Sequence, residues 1–347
     1  MDPSADRRVL TVLRRRTSVE WTGRGLVRLV DTHARVESQR ALHWGDWWVV
    51  GLPLVAGLDL ALYLTLQSRP GALALRLWPW APPAIVLATT SLLAGALVSA
   101  LRGRRTWNWT RGAAFLVTCG LVFSSGVYQT YPSSHDDQPS SVAFRLPLGG
   151  PVTVAWGGPT HRVNYHVGSP PERWAYDLLV TRAGRTHAGD GTALADYFSY
   201  GRDVLAPAAG TVVAARDGEP DAVPGRPDRD GRAGNHVVLE VEPGVYLFIA
   251  HLRGGSVLVQ PGQTVRQGQV LGQVGNSGNT SEPHVHLHLQ DSPTPDRGEG
   301  IPMFFSGYRV SGQADVVARG MPMGGQRRGA LLGQTIEQTT DRIAKER

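Results

Sequence analysis

A single cysteine, a single lysine and the absence of any HExxH string set the first limits on this 347-residue chain. With Cys119 alone, neither a disulfide framework nor a thiolate metal site can be built within one chain. The missing HExxH excludes the helical zinc-peptidase arrangement, in which a glutamate beside two histidines is the general base. Charge is scarce too. Asp, Glu, Lys and Arg make up 18% of the residues, which is low for a soluble protein. The shortage is concentrated in a few apolar stretches.

Three blocks stand out: residues 47–66, 83–101 and 113–131. Each is close to the ~20 residues that cross a bilayer as a helix. Asp59 is the only acidic or basic residue in them, fewer than a transport path usually shows. None has a polar face to show to water. Tryptophans and tyrosines, among them Trp47, Trp78, Trp109 and Tyr131, lie near their ends, as interfacial aromatics do. The blocks therefore predict three transmembrane helices over 47–131, with a lipid bilayer as a partner. Nine arginines precede the first block, and Arg102, Arg104, Arg105 and Arg111 follow the second; only Arg69 and Arg76 lie between the first and second. The positive-inside rule then places residues 1–46 in the cytoplasm and everything past 132 outside, in a multi-pass protein of the cytoplasmic membrane. The polar residues ahead of the first block suit an uncleaved signal-anchor rather than a cleaved leader.

The formal charge of +6 belongs to this region. Residues 1–112 hold 15 Arg against seven acids, while the remainder holds 20 basic and 22 acidic residues. The basicity sets topology and is no sign of nucleic acid. Residues 9–42 read as a basic helix, either amphipathic on the cytoplasmic surface or plainly solvated.

Residues 132–142, "PSSHDDQPSSV", read as a polar linker. From 143 to 324, the expected extracytoplasmic domain, the pattern changes to short β-like runs punctuated by Gly and Pro, with no helical periodicity between 143 and 312. "DVLAPAAGTVVAARDG" reads as a strand pair about a turn, and "NHVVLEV", "EPG", "VYLFIAHL" as a β-hairpin. An all-β, mostly antiparallel domain is expected, preceded by the all-α membrane region. Residues 181–202 and 217–234 look like inserts, and 325–347 like a polar tail with a short helix from 331.

The stretch "EPHVHLHLQ" places His284, His286 and His288 at alternate positions. On a strand they share one face, with Val285, Leu287 and Leu289 on the other. Neutral imidazoles gathered in this way suit zinc. Two on one strand are not enough, because a catalytic zinc takes about three protein ligands and an open position. Asp177 lies mid-run in "RWAYDLLV", where an acid is costly unless paired or metal-bound. His251 ends "YLFIAHL", and His161 and His166 lie in "GGPTHRVNYHVG".

These motifs together resemble the lysostaphin-like (LytM-type) zinc endopeptidases. "VLAPAAGTVVAA", "GNHVVLEV", "YLFIAHL" and "VQPGQTVRQGQVLGQVGNSGNTSEPHVHLHL" follow in the family's order over about 90 residues, 204–290. With the upstream segment the likeness covers roughly 160–290. It implies a lysostaphin-type fold, a Zn2+ cofactor, Asp177 and His286 as metal ligands, and His251 and His284 as catalytic histidines of unassigned individual role. The chain departs from the family's H-x-x-x-D motif, because Arg173 stands four residues before Asp177 and a guanidinium cannot coordinate a cation. His166, eleven residues upstream, is the first choice for the remaining ligand, through a turn at Ser-Pro-Pro. His161 and outright loss of the ligand are the alternatives. His288 has no family role and reads as a strand residue or a group behind the ligands.

The resemblance implies hydrolysis of peptide bonds in peptidoglycan by zinc-activated water. A peptidase-like domain without catalysis that regulates another cell-wall hydrolase is the alternative. "VLAPAAGTV" with "VRQGQVLG" also resembles biotinyl or lipoyl carriers, but those need a lysine at a hairpin tip, and Lys345 is in the tail.

Overall fold

The computed structural model describes residues 18–20, 28–30, 47–101, 109–124, 128–310, 317–318 and 335–338. The chain divides into two units, Met1–Trp47 and Trp48–Arg347. In the first, β1 (Ser18–Glu20) and β2 (Arg28–Val30) pair antiparallel. The helix expected over 9–42 is replaced by strands at both described places. The β-branched Val19 and Val30 favour extended backbone, and Gly23 and Gly25 between the runs disfavour helix. The rest of the basic segment lies outside the described residues.

Four helices follow: α1 (Trp47–Gln67), which lies in the second unit from Trp48 onward, α2 (Ala72–Leu77), α3 (Ala81–Leu101) and α4 (Trp109–Ser124). Two of these, α1 and α3, are long and apolar enough to cross a membrane by length and composition. Many of their leucines are exposed, Leu58 and Leu87 each at 68%, a surface suited to lipid rather than water, while Leu52, Leu66 and Leu92 are buried. The third apolar block is described as helix only to Ser124, which makes α4 16 residues, short of the ~20 a span needs. Residues 102–108 and 125–127 lie outside the described residues, and with them Arg102, Arg104 and Arg105. Asp59, the acid within α1, is buried, and its carboxylate accepts a 2.5 Å hydrogen bond from the Tyr128 hydroxyl.

Beyond residue 143 the described chain is β-structure, with two short 3-10 turns at Tyr165–Gly168 and Leu194–Asp196. The strands are β3 (Val152–Trp156), β4 (Tyr176–Leu179), β5 (Asp203–Leu205), β6 (Gly210–Arg216), β7 (Asn235–Glu242), β8 (Val245–Leu252) and β9 (Thr264–Val265). They continue with β10 (Val270–Gln273), β11 (Val285–Gln290), β12 (Gly300–Ile301), β13 (Tyr308–Val310), β14 (Val317–Ala318) and β15 (Thr335–Gln338). An eleven-stranded antiparallel sheet runs β14-β13-β15-β3-β4-β11-β8-β7-β6-β9, with β12 added beside β11. The expected all-β antiparallel class is the observed one. The β7–β8 hairpin forms as read, closing at Glu242 opposite Val245.

Period-2 alternation sorts the central strands into two faces. Tyr176 and Leu178, Leu247 and Ile249, and Val285, Leu287 and Leu289 enter the core. Asp177, Phe248, Ala250, His286 and His288 occupy the alternate positions on the same strands. Two expectations are corrected. β5 and β6 do not pair with each other: β5 pairs with β10, and β6 with β7 and β9. Ala206 and Ala208 between them are packed in the core, so the connection passes through it instead of turning back. The tail contributes a strand, not a helix, at 335–338. β15 lies between β13 and β3, with Ile336 buried opposite Val152 and Val310.

Residues 132–142 are not a free tether. Glu299 accepts from the Tyr131 hydroxyl at 2.6 Å and from the Ser134 amide at 2.7 Å. Arg173 donates to the Tyr131 carbonyl at 2.9 Å, and the Trp174 indole to Asp136 at 2.8 Å. The polar composition of this stretch reflects paired groups. Arg69, in the connection between α1 and α2, pairs with Asp137.

Candidate metal centre

The site is assembled by register. Asp177 of β4 stands directly opposite His286 of β11, which stands opposite Ala250 of β8. The chain between Tyr165 and Gly168 brings His166 to the same point. Asn164 accepts from the His166 amide at 3.0 Å, while its own amide donates to the carbonyls of Gly158 and Ala175 at 3.0 and 3.2 Å. Ala175 leads into β4, so Asn164 ties the histidine turn to the strand bearing Asp177. This is how an eleven-residue separation closes.

The backbone of that turn is held from behind. The Tyr131 amide donates to the Val167 carbonyl at 2.7 Å and the Trp78 indole to the Gly168 carbonyl at 2.9 Å. Trp78 follows α2 directly, and its ring meets Tyr131 and Tyr128 edge-on at 5.3 and 5.9 Å. Trp78→Ala is expected to cost about 3 kcal/mol in stability, as buried aromatic truncations do. It should also speed exchange of the Tyr131 amide, which donates to the Val167 carbonyl, read by hydrogen exchange. Unchanged exchange there would mean that the turn does not depend on this contact.

His166 Nε2 lies 3.0 Å from Asp177 Oδ2, and His286 Nδ1 2.8 Å from Asp177 Oδ1. All three residues are buried. Burial disfavours the charged imidazole of His166, but the Asp177 carboxylate, with help from Glu172, outweighs it and pushes the pKa up to about 10. Burial likewise opposes ionisation of Asp177, yet His166 and His284 hold it well below the usual carboxylate range. The pocket is therefore one where a cation is favoured. The donor atoms of His166, Asp177 and His286 all lie within 4.8 Å of one another. Tetrahedral zinc, with bonds of ~2.0–2.2 Å, spaces its ligands roughly 3.4 Å apart. Small adjustments of the present donors fit that geometry. Two other groupings share His286: one with His251 and His284, one with Glu172 and His288.

His251 and His284 stand beside this set, their ring centroids 5.0 Å apart. His251 donates from Nδ1 to the Ser277 carbonyl at 2.9 Å, which leaves Nε2 for the site. Its backbone is left-handed at φ 61°, a conformation that costs a non-glycine residue of order 1–2 kcal/mol. Ser277 is placed by close approach: a Cβ on Gly234, at φ 59°, would collide with the Ser277 backbone. The Ser277 hydroxyl also accepts from the Asn235 amide at 2.9 Å and donates to the Leu252 carbonyl at 2.7 Å. Gly234-Asn235 and Ser277 thus form one lock that aims His251. His284 donates from Nδ1 to the Glu282 carbonyl at 2.8 Å. Its Nε2 is buried without a hydrogen-bond partner, 3.5 Å from Asp177 Oδ1. Burial and the neighbouring His284 and His286 keep His251 well below the ordinary histidine pKa. For His284 burial also lowers the pKa, but Asp177 prevails and raises it.

Arg173, in the position of the missing ligand, turns away towards Tyr131 and Asp136. His161 is exposed and joins no donor group among the described residues. His236 is buried, with Nδ1 on the Gly234 carbonyl at 2.7 Å. A groove of about 320 Å³ opens over the cluster, bounded by His166, Glu172, Arg229, Arg232 and Asp296. No residue of the 181–202 insert lines it. Sequence reading missed Glu172, whose Oε2 lies 3.4 Å from His166 Nδ1. Nothing in the Pro-Pro-Glu-Arg context signals that contact.

The fold and site define a β-sheet domain with a buried His/Asp donor set suited to a divalent metal. Comparison with known proteins adds a family match. Residues 190–296 match the family described as Peptidase family M23. That stretch holds His251, His284 and His286, while His166 and Asp177 lie upstream of it. No curated protein matched the chain. Similar solved structures include a mutant catalytic domain of the prophage-encoded M23 protein EnpA from Enterococcus faecalis. It shares 18% identity over 46% of this chain and 94% of that one, at a TM-score of 0.29. A zinc-containing peptidase from Vibrio cholerae shares 20% over 46% and 39%, at 0.29. The antimicrobial peptidase lysostaphin from Staphylococcus simulans shares 17% over 42% and 45%, at 0.27.

Proposed function

We propose that the chain is a membrane-anchored zinc endopeptidase that hydrolyses peptide bonds of peptidoglycan, with residues 143–324 as its extracytoplasmic catalytic domain. The observation that carries the reading is the convergence of His166, Asp177 and His286, from three separate segments, into one buried donor set flanked by His251 and His284. Zinc held there supplies a Lewis acid and lowers the pKa of water towards ~7. The residues of the chain do the rest. His251, neutral and with its Nδ1 proton committed to Ser277, accepts the proton of the attacking water at Nε2 and passes it to the leaving amine. His284, whose Nδ1 already donates to Glu282, is the imidazolium that Asp177 favours, and its partnerless Nε2 donates to the oxyanion of the tetrahedral intermediate. The peptide occupies the groove above Phe248 and Ala250.

The placement outside the membrane is supported by two contacts. Trp78 on Gly168 and Arg69 on Asp137 join the connection between α1 and α3 to the β domain, which supports a shared side of the membrane for the two. With the arginine-rich residues 1–46 in the cytoplasm, that side is outside, where peptidoglycan lies. Full-length protein carrying one zinc per chain is expected to release new amino termini from purified muropeptides. A chelator should stop the reaction and added zinc restore it. Zinc-loaded protein that leaves muropeptides intact would overturn the enzymatic reading.

A further inference from the structure

We propose that Gln290 and His288 are positioning residues that fix the tautomer of His286 and so free its Nδ1 for the metal. The inference rests on the reading of His166, Asp177 and His286 as a zinc site. It starts from backbone carbonyls outside the site, which can only accept. The Gln290 side chain meets the carbonyls of Ser292 and Thr294 at 2.7 and 2.8 Å. The end of Gln290 facing them is therefore its NH2, and Oε1 faces the other way. There it lies 3.0 Å from His288 Nε2. An amide oxygen only accepts, so Nε2 carries the proton. The neutral ring then has a bare Nδ1, and this lies 3.0 Å from His286 Nε2. His286 Nε2 must donate in its turn. The proton of neutral His286 is thereby placed at Nε2, and Nδ1 presents a lone pair 2.8 Å from Asp177 Oδ1.

Two lone pairs facing each other repel, and a divalent cation bound by both, with the pair opened towards ~3.4 Å, relieves that repulsion. Every member is held: His286, His288 and Gln290 are buried, and the His288 ring stacks on Phe248 with centroids 5.0 Å apart and planes within 5°. The three positions are i, i+2 and i+4 of β11, so the strand alone aligns them on one face. Without the relay, His286 is free to place its proton at Nδ1, where it blocks coordination.

The test is zinc affinity of the full-length protein by chelator competition, with stability followed by thermal unfolding. Groups that orient a metal-bound histidine typically matter 10–100-fold in affinity. Gln290→Leu and His288→Leu are each expected to weaken zinc binding by about that factor. His288→Gln offers an oxygen to His286 and an amide to Gln290. It is expected to restore affinity to within about threefold of wild type, although it loses the ring stacked on Phe248. A purely structural role predicts instead that affinity follows stability, so that the glutamine variant stays weak. Leucine variants that fold and bind zinc as tightly as wild type overturn the relay alone. Wild type that binds no zinc overturns the metal reading, and the relay with it.

Discussion

Asp177→Asn should leave a folded protein without zinc at micromolar metal and without measurable peptidase activity. Asparagine keeps the shape of the side chain and removes the charge. Both oxygens of Asp177 are committed, one to His166 and one to His286, so the substitution acts on both histidine donors together. The carboxylate is also the source of the cation-favouring potential, shown by the raised pKa of His166. Loss of several kcal/mol of Lewis-acid stabilisation corresponds to a fall of roughly 10³-fold or more in kcat/KM. Metal content per chain and muropeptide turnover check the two parts separately. An Asp177→Asn variant that keeps full zinc would remove Asp177 from the ligand set.

His251→Ala and His284→Ala should behave differently: zinc retained at one per chain, kcat reduced. Loss of a positioned general base is worth about 10²–10⁴-fold and loss of an oxyanion donor about 10²–10³-fold. Because both act on one transition state, the double variant should fall well short of the product of the singles. These substitutions also separate the overlapping donor groups. His251, His284 and His286 are themselves close enough to share an ion. Were the ion there, His251→Ala would release it and His166→Ala would not.

The parts of this site that a reader of the sequence can find are those written in local pattern. The alternation of "EPHVHLHLQ" puts three imidazoles on one face, and β11 buries Val285, Leu287 and Leu289 on the other. The acid inside "RWAYDLLV" and the histidine ending "YLFIAHL" mark the strands that flank it, β4 and β8. His166 is reachable only through the family resemblance, whose H-x-x-x-D motif finds Arg173 where a ligand is due and sends the search upstream across a turn. The structure supplies that turn through Asn164, a residue with no periodic signal. What stayed hidden was non-local. β5 and β6 each have a partner distant in sequence, and four tail residues find a place between β13 and β3. Polar composition at 132–142 reads as a linker, and partners such as Glu299, which accepts from the Ser134 amide, are invisible there because they lie more than 160 residues away. Gln290 carried no signal beyond its even spacing from His286. Its importance comes from where its amide points.

The measurement closest to the central claim is zinc-edge anomalous diffraction from crystals of the zinc-loaded protein. The account predicts one strong peak about 2.0–2.2 Å from His166 Nε2, the Asp177 carboxylate and His286 Nδ1, with His251 and His284 outside bonding range. A peak bonded to His251 and His284 instead, or none within the cluster, would contradict it.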